Sequence, residues 1–433
     1  MARPRLRVAG MASSIFLVAL IAVRFTTGVA RSSPSAVGVI AYERGNEIRL
    51  INSDGSHDRR LWQQPLPSGF RGISGLQWRP DGQSIAFTSD YQKTCSLYEG
   101  DVFTVNADGS GLRRVTNSPA CAELGAFPKG AVKVQVENLT TESQFLLYVE
   151  GAPTAILTTI APGAIVDVTL SGVADLGNFA QQVIAINGKY RWYDPAVSVD
   201  VKAGQSVTVP TRLVLRAQGN VYANMGASNP AWHRSRSKIG FIFYEGILMQ
   251  IAAAPPIAGA DELLLGPGAG VIASAMAWSP TDDRIVYNDL DTISVVQPGA
   301  TNGGEALIDK AGTELVLGLD WLPDGSGFVF AITGGLLGQE HSNIYEYSFA
   351  DVTLTPITDF ADDYAGALSV SPDGQEIVFE FVREIGDPSE LWIIRRDGSG
   401  LRPLGVQGQS VDWQPGTGIE FSHRLLLPLQ LDR

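Results

Sequence analysis

The sequence predicts an all-β protein: a six-bladed β-propeller closed by its N- and C-terminal strands, with a small antiparallel β-sandwich domain inserted into it. Three observations lead to this prediction. A turn phrase built on Trp-x-Pro-Asp-Gly recurs along the chain, a second phrase built on Asp-Gly-Ser recurs between its copies, and the period is forty-odd residues. Four strands in a period of that length are typical of one propeller blade.

The first phrase predicts a tight turn between two strands. Its full copies are Trp78–Gly82 and Trp321–Gly325, and Ser371–Gly374 repeats it without the tryptophan. Proline presets φ at the first turn position, and glycine accepts the positive φ that such a turn needs. Each copy precedes a short apolar run that is typical of a strand, and altered copies begin at Trp232 and Trp278.

The second phrase predicts the hairpin between the third and fourth strands of a blade. It occurs as Asp54–Ser56, Asp108–Ser110 and Asp397–Ser399, each time directly after an alternating strand. Asp-Gly between two alternating strands is a strong hairpin signal. We expect the aspartates of both phrases to bind their own turns rather than calcium, because they are distributed around the ring.

The tryptophan positions give the number of blades and the place of an insertion. They are 78, 232, 278, 321, 370 (a valine) and 413, with spacings of 154, 46, 43, 49 and 43, so the first interval holds roughly 110 extra residues. In each blade an apolar second strand should follow the strand that ends in tryptophan, and six such second strands occur. The first of them, Val39–Tyr42, has no tryptophan strand before it, whereas Trp413 has no second strand after it. We therefore expect the last strand to join the first blade, which removes the free edges of the ring.

These phrases resemble the repeat of the TolB-like propeller family, with its WD40-like Pro-Asp-Gly turns. The resemblance extends from Val37 to Gly416 apart from the insertion. It implies a six-bladed propeller but no single function, because such propellers serve as scaffolds, as partner-binding modules and as appendages of peptidases. This sequence contains no region that resembles the N-terminal α/β domain of TolB itself, so the role of that protein is not carried over.

The insertion lacks Pro-Asp-Gly turns and contains short alternating strands, among them Ala131–Val136, Gln144–Val149 and Ala164–Leu170. Such strands, separated by turns, predict a small antiparallel sandwich. The segment Val199–Val207 is loosely similar to strand pairs of carboxypeptidase-regulatory-like modules. Because the insertion replaces a connection between blades, we expect it on the face that carries the connections between the second and third strands.

The predicted organisation has five parts. They are a signal peptide (1–30), the first part of the propeller with blades 1 and 2 (37–127), the inserted sandwich (128–219), the second part with blades 3–6 and the closing strand (220–416), and a C-terminal tail (417–433). We expect the tail to pack on the propeller; a terminal sorting feature is the alternative.

Residues 1–30 have the pattern of a secretory signal. Three arginines precede an apolar run, Val8–Val23, and Gly28–Ala30 supplies small residues suited to cleavage. The run is about 16 residues long, short of the roughly 20 that a spanning helix needs. We expect cleavage and a secreted or extracytoplasmic protein without stable membrane insertion, and an uncleaved anchor is the alternative.

Two cysteines are present, Cys95 and Cys121. Cys95 falls in a loop between the second and third strands, and Cys121 falls where the chain crosses to the next blade. These two connections open on the same face of an up-and-down blade. In an exported chain this predicts a Cys95–Cys121 disulfide, with two unrelated thiols as the alternative.

Composition and motifs exclude several functions. The net charge of −13 argues against nucleic-acid binding, which needs lysine and arginine to neutralise phosphates. The four histidines have no metal-binding spacing, and no Gly-x-Ser-x-Gly elbow occurs. The sequence therefore predicts no catalytic residues, no metal and no cofactor, and we expect a monomer.

Long loops on the insertion side carry the candidate binding residues. Binding residues concentrate in loops held by a rigid scaffold. The candidates are Asp90, Tyr91, Tyr98, Glu340, His341, Glu384 and Asp387, with added negative charge from Asp359, Asp362 and Asp363. We expect a polar or cationic partner there; ordinary solvated loops are the alternative.

The predicted function is that of a non-enzymatic, exported binding or scaffold propeller. Its partner is expected to be a protein, a peptide or a glycan, recognised through the loop face that carries the insertion. The alternative is a channel-centred propeller enzyme, lactonase- or dehydrogenase-like, with a bound metal or cofactor.

Overall fold

The computed structural model describes most of the chain between Gly38 and Gly416. The described ranges are 38–65, 72–92, 100–116, 126–149, 155–175, 181–187, 190–216, 226–245, 248–254, 262–265, 275–289, 291–300, 304–310, 314–334 and 341–416. Every regular element that lies wholly within these ranges is a β-strand, which confirms the all-β prediction.

The strands that precede the insertion are β1 (Val39–Arg44), β2 (Glu47–Asn52), β3 (Arg59–Gln63), β4 (Ile73–Trp78), β5 (Ser84–Ser89), β6 (Asp101–Asn106) and β7 (Arg113–Arg114). Those of the inserted segment are β8 (Lys129–Asn138), β9 (Gln144–Val149), β10 (Ala155–Thr159), β11 (Ile165–Ala174), β12 (Gln181–Asn187), β13 (Tyr190–Val199), β14 (Ser206–Thr208) and β15 (Leu213–Leu215).

The strands after the insertion are β16 (Gly226–Trp232), β17 (Ile239–Glu245), β18 (Leu248–Ala254), β19 (Glu262–Leu265), β20 (Met276–Trp278), β21 (Ile285–Asn288), β22 (Thr292–Val296), β23 (Glu305–Asp309), β24 (Val316–Trp321), β25 (Gly327–Thr333), β26 (Ser342–Ser348), β27 (Thr353–Pro356), β28 (Tyr364–Val370), β29 (Glu376–Val382), β30 (Glu390–Arg395), β31 (Arg402–Gln407) and β32 (Gln409–Trp413).

Outside the insertion, the described strands form six antiparallel four-stranded sheets. Sheet 1 has the order β32-β1-β2-β3; sheets 2 to 6 are β4–β7, β16–β19, β20–β23, β24–β27 and β28–β31, each in chain order. The first strand of each sheet is its inner strand. The inner strands neighbour one another in the order β32, β4, β16, β20, β24, β28, and β28 lies next to β32 again. This arrangement is that of a β-propeller-like fold.

The chain ends meet in sheet 1. β1 and β32 pair antiparallel, with Ile40 opposite Trp413 and Ala41 opposite Asp412. The amide of Gln414 also donates to the carbonyl of Val39 at 2.8 Å. The prediction that the last strand completes the first hairpin is therefore confirmed.

The repeated turns have the predicted chemistry. Gly82, Gly325 and Gly374 all take a positive φ near +70°. In the second phrase, the aspartate Oδ1 accepts the backbone N–H of the serine two residues later at 2.9 Å, in each of Asp54, Asp108 and Asp397. These carboxylates stabilise their own turns.

The repeated tryptophans pack between sheets. Trp278, in sheet 4, shares a core cluster with Ala231 and Ile242 of sheet 3. Trp321, in sheet 5, packs on sheet 4, and its Nε1 donates to the carbonyl of Ala277 at 3.0 Å. The tryptophan recurs because five of the six inner strands end with this large side chain, which fills the gap to the preceding sheet.

The inserted segment forms two sheets that share one core. One sheet has the order β10-β9-β12-β13; the other contains β11, β8 and β14, with β15 also on β8. Val134, Phe145 and Val183 are among the side chains from both sheets that are buried together. The predicted antiparallel pairing holds for β8 to β13 and is wrong for β14 and β15, which both run parallel to β8. The segment Val199–Val207 is accordingly a crossing between the two sheets rather than a hairpin.

A glycosylation-like pattern, Asn138-Leu139-Thr140, lies in this insertion. Asn138 is fully buried, and its Nδ2 donates to the carbonyls of Glu142 and Ile160, both at 2.7 Å. Its Oδ1 accepts the backbone N–H and the hydroxyl of Thr140. The pattern is explained by this buried turn, because a glycan needs an accessible amide.

Several predicted features lie outside the described residues. They include the signal peptide, the C-terminal tail and both cysteines of the predicted disulfide. The domain boundaries and the disulfide stay predictions. Among the described residues, no helix is long and apolar enough to cross a membrane.

Candidate functional site

The inner strands surround a channel with a cavity at each end. Here the turn face is the end of the sheets that carries the Pro-Asp-Gly and Asp-Gly-Ser turns, and the insertion face is the opposite end. The cavity towards the turn face measures about 370 Å³ and that towards the insertion face about 520 Å³. Gln77, Asp320 and Asp412 line both cavities, so they mark the level at which the two meet.

Side chains at this level connect neighbouring inner strands. Each of the three directly precedes a position of the tryptophan series and accepts a backbone N–H from the next sheet. Asp412 accepts from Trp78, and Gln77 accepts from Trp232. Asp320 Oδ2 accepts from Val370 at 2.8 Å. These bonds satisfy backbone groups at strand edges that have no sheet partner.

Two carboxyl groups and a hydroxyl form a cluster at this level. Ser369 Oγ lies 2.9 Å from Asp412 Oδ1 and 3.2 Å from Asp320 Oδ2. Both aspartates lie deep in the protein and keep part of their surface on the channel. Burial raises the pKa of Asp320 to about 6, against backbone hydrogen bonds that lower it. Burial and the nearby Asp320 raise the pKa of Asp412 well above its ordinary value.

A second pair of acids lies towards the insertion face, where sheet 6 meets sheet 1. Glu380 Oε1 accepts the amide of Ser410 at 2.6 Å. Burial raises the pKa of Glu380 to about 7, and burial followed by the repulsion of Glu380 raises that of Glu43 to about 7. A Cβ on Gly366 would lie 2.9 Å from Glu380 Oε2, so a larger residue there would displace the Glu380 carboxyl group.

An acidic crescent lies in the connections of the insertion face. We use this name for Asp289, Asp291, Glu314, Asp359, Asp362 and Asp363, which lie in connections of sheets 4 and 5. Burial lowers the pKa of Lys310, and the charges of Asp289, Glu314 and Asp291 oppose this change. Burial and then the charges of Asp359 and Glu314 raise the pKa of Tyr345. The acidic groups of both sheets therefore act on one region.

Apolar side chains are exposed beside these acids. Leu315 is 48% and Leu317 39% exposed, and Leu317 also lines the insertion-face cavity. Ile385, in the loop between β29 and β30, is 69% exposed. A surface that combines leucines with carboxylates is suited to a partner that is both apolar and cationic.

Two of the predicted binding residues, Asp90 and Tyr91, have structural contacts. Asp90 is buried, and its Oδ1 accepts Gln64 Nε2 at 2.8 Å and the amide of Gly72 at 3.3 Å. Tyr91 packs edge-on against Trp62. These contacts fix both residues in the connection that follows β5. Their side chains are therefore less available to bind a partner.

The other predicted residues are spread over sheets 5 and 6. Glu384 and Asp387 are exposed in the loop between β29 and β30, where the amide of Asp387 donates to the carbonyl of Glu384. His341 is half-buried at the start of β26. Tyr98 and Glu340 lie outside the described residues. The binding roles of all these residues stay predictions.

The sequence reasoning missed Asp320, Asp412 and Glu380. A signal for the first two was present, because Asp320, Asp412 and Gln77 all stand one place before a tryptophan of the repeat. Aligning the repeats on the tryptophans would have shown a polar position on the channel.

In the part of the chain that the structure describes, no group of three or more His, Cys, Asp or Glu side chains is arranged to hold a metal ion. No protein-family model matches the sequence, and no curated protein matches it.

Solved structures give distant matches. TolB from Acinetobacter baumannii is 13% identical, with 88% of this chain and 67% of that chain covered and a TM-score of 0.32. A putative TolB from Agrobacterium tumefaciens is 11% identical, with 87% and 91% covered and a TM-score of 0.31. A prolyl endopeptidase is 8% identical, with 87% and 50% covered and a TM-score of 0.41. At these TM-scores the matches carry no argument about function.

Proposed function

We propose that this chain is an exported, non-enzymatic binding or scaffold protein: a monomeric six-bladed propeller with an inserted sandwich. It binds a protein, peptide or glycan through its insertion face. The ring of six four-stranded sheets supports the blade count, and the shared core of β8–β15 supports the inserted module. The N-terminal sequence pattern supports export.

The acidic crescent is the observation that carries the proposal, and it selects a cationic segment of a protein or peptide as the partner. Five carboxylates of the turn face are paired with arginines: Asp81 with Arg79 and Arg236, Asp282 with Arg284, Asp283 with Arg234, Glu346 with Arg396, and Glu376 with Arg402. The crescent combines six acids with Lys310, so its field attracts and orients a basic partner.

The double variant Asp359→Asn/Asp362→Asn tests the crescent. Both side chains are exposed. With a 14-residue peptide of alternating lysine and leucine as the probe, we expect the affinity at low salt to fall about tenfold, because an exposed ion pair contributes up to about 1 kcal/mol. Titration calorimetry at two salt concentrations measures the change, and the loss should shrink at high salt.

The matched control is Glu305→Gln/Asp351→Asn, which removes two exposed charges away from the insertion face. It should bind the peptide like the native protein. Leu317→Ser should weaken binding by an amount that salt does not change. Equal affinities for the crescent and control variants, or equal binding of a glutamate–leucine peptide, would refute the crescent as the binding surface.

The channel gives some support to the alternative, a propeller enzyme. Asp320 and Asp412 both have a raised pKa in a cavity, and perturbed carboxyl groups in cavities are frequent at catalytic sites. A stoichiometric metal ion or cofactor in purified protein, with turnover that Asp320→Asn abolishes, would favour the enzyme. A protein that contains neither and has no such turnover fits the binding role.

A further inference from the structure

We propose that Asp320, Ser369 and Asp412 form a proton-binding site in the channel, in which a single proton shared by the two carboxyl groups holds four blades together at the seam of the ring. We call these three residues the shared-proton cluster. Asp320 belongs to sheet 5, Ser369 to sheet 6 and Asp412 to sheet 1, and Asp412 also accepts the amide of Trp78 in sheet 2. Sheet 1 is the sheet in which the two chain ends meet.

The inference follows from the number of protons that the Ser369 hydroxyl can donate. Its Oγ lies within hydrogen-bond distance of both carboxyl groups and accepts the amide of Trp413 at 3.1 Å. A hydroxyl has one proton, so it donates to only one carboxyl group. The second short contact needs a proton from the other carboxyl group. With one added proton, every donor and acceptor of the cluster has a partner.

The geometry assigns this proton to Asp412. The ionised form is better stabilised at Asp320, because Oδ1 accepts the amide of Trp321 at 2.8 Å and Oδ2 accepts that of Val370 at 2.8 Å. At Asp412, Oδ2 accepts the amide of Trp78, and Oδ1 faces the hydroxyl. Asp412 Oδ1–H therefore donates to Ser369 Oγ, and Ser369 Oγ–H donates to Asp320 Oδ2.

Few charges face the cluster from the strands packed against it. β4, β20 and β25 contribute no ionisable residue. The others contribute Tyr364 from β28, Glu376 and Glu380 from β29, Tyr345, Glu346 and Tyr347 from β26, and Tyr42, Glu43 and Arg44 from β1. Arg234 lines the turn-face cavity, and Glu346 pairs with Arg396. Glu376 pairs with Arg402, Arg44 with Asp58, and Arg234 with Asp283. The second acid pair, Glu43 and Glu380, is the remaining source of pH dependence near the channel.

The consequence is a ring that is most stable when the site holds its proton. The pKa of both carboxyl groups is raised in the folded state, so the cluster keeps its one shared proton at a pH at which the unfolded chain has already lost it. Stability is therefore full below the unfolded-state pKa and falls as pH rises through the folded-state pKa, which is about 6 for Asp320. When both carboxylates are ionised, the Ser369 hydroxyl donates a hydrogen bond to only one of them. The two negative charges then repel each other between sheets 5 and 1.

Two asparagine variants in a Glu43→Gln/Glu380→Gln background test the proposal, because this background removes the second acid pair. An asparagine at 412 resembles protonated aspartate: its oxygen accepts the amide of Trp78, and its NH₂ donates to Ser369. An asparagine at 320 instead places an NH₂ against a backbone N–H. Asp412→Asn should fold well and lose most of the pH dependence, whereas Asp320→Asn should be destabilised at every pH.

Urea unfolding from pH 5 to 8 provides the measurement. In the background chain the folding equilibrium constant should fall about tenfold over this range, since a proton that leaves the folded chain near pH 6 costs a factor of ten between pH 5 and pH 6. Infrared difference spectra provide a second readout, in which the C=O band of a protonated carboxylic acid at pH 5 should disappear in Asp412→Asn. Ser369→Ala should be less stable at pH 5 and keep the pH dependence.

Two results would overturn the inference. One is a pH dependence that Asp412→Asn leaves unchanged, and the other is a carboxylic-acid band that persists in that variant. Equal destabilisation by the two asparagine variants would also contradict the assignment of the proton to Asp412. If Asp320→Asn does not fold, Asp412→Asn and the infrared spectrum of the native chain still decide the question.

Discussion

Replacing Trp413 with alanine is expected to destabilise the protein by about 3–5 kcal/mol, the usual cost of truncating a large buried aromatic side chain. The side chain is 5% exposed and packs with Ile40 of sheet 1 and with Val378 and Leu391 of sheet 6. It also ends the strand that joins the two chain termini. Its loss therefore leaves a cavity at the place where the ring closes. Urea unfolding followed by circular dichroism measures the change.

Trp392→Ala is the control for this prediction. Trp392 is half-buried on β30, packs against Phe381, and donates its Nε1 to Glu390. It does not take part in the closing strand, and we expect a smaller loss of stability. If Trp392→Ala lowers the free energy of unfolding as much as Trp413→Ala does, the closing strand does not contribute more to stability than other strands of the ring.

Glu380→Gln is expected to stabilise the protein above neutral pH and to leave it unchanged at pH 4. The pKa of Glu380 is raised from 4.5 to about 7 in the folded state. The stability that depends on its proton is therefore full below about pH 4.5 and is lost as pH rises through about 7. Glutamine cannot ionise, and its Oε1 can still accept the amide of Ser410. The gain at pH 8 should reach up to about 3 kcal/mol, since one pKa unit is worth about 1.4 kcal/mol.

Glu376→Gln is the matched control, with the same substitution on the same strand. Glu376 is half-buried and pairs with Arg402 at 3.3 Å, so its replacement removes an attraction instead of a buried charge. It should destabilise slightly and leave the slope of stability against pH unchanged. The explanation for Glu380 fails if both variants change that slope equally, or if Glu380→Gln is destabilising at pH 8.

The prediction of the fold succeeded where the signal was local. Asp54 and Gly82 adopt the conformations of their turns through hydrogen bonds and φ values within a few residues. The pairing of Trp413 with Ile40 is not local, but it could be predicted because each of two incomplete blades contained what the other lacked. The insertion was predicted less well. Alternating strands do not indicate the direction of their neighbours, so the parallel pairing of β14 with β8 went unpredicted.

The prediction of binding residues was limited because loop position alone does not give burial. Asp90 and Glu384 both occupy connections between second and third strands, yet Asp90 is buried and Glu384 is exposed. The difference comes from Gln64 and Gly72, which belong to a neighbouring connection and bind Asp90. No pattern within the loop itself contains that information.

By itself, the sequence determined the strands, the turns between them and the strand that closes the ring, because backbone preferences and a regular period act over short distances. Only the tertiary structure decided that Asp320 and Asp412 meet at Ser369 and that acids of two sheets form one crescent. A carboxyl group takes its pKa from burial and from charges within a few ångströms. Around a channel those neighbours come from different blades, so their distances depend on how the sheets pack and not on spacing in the chain.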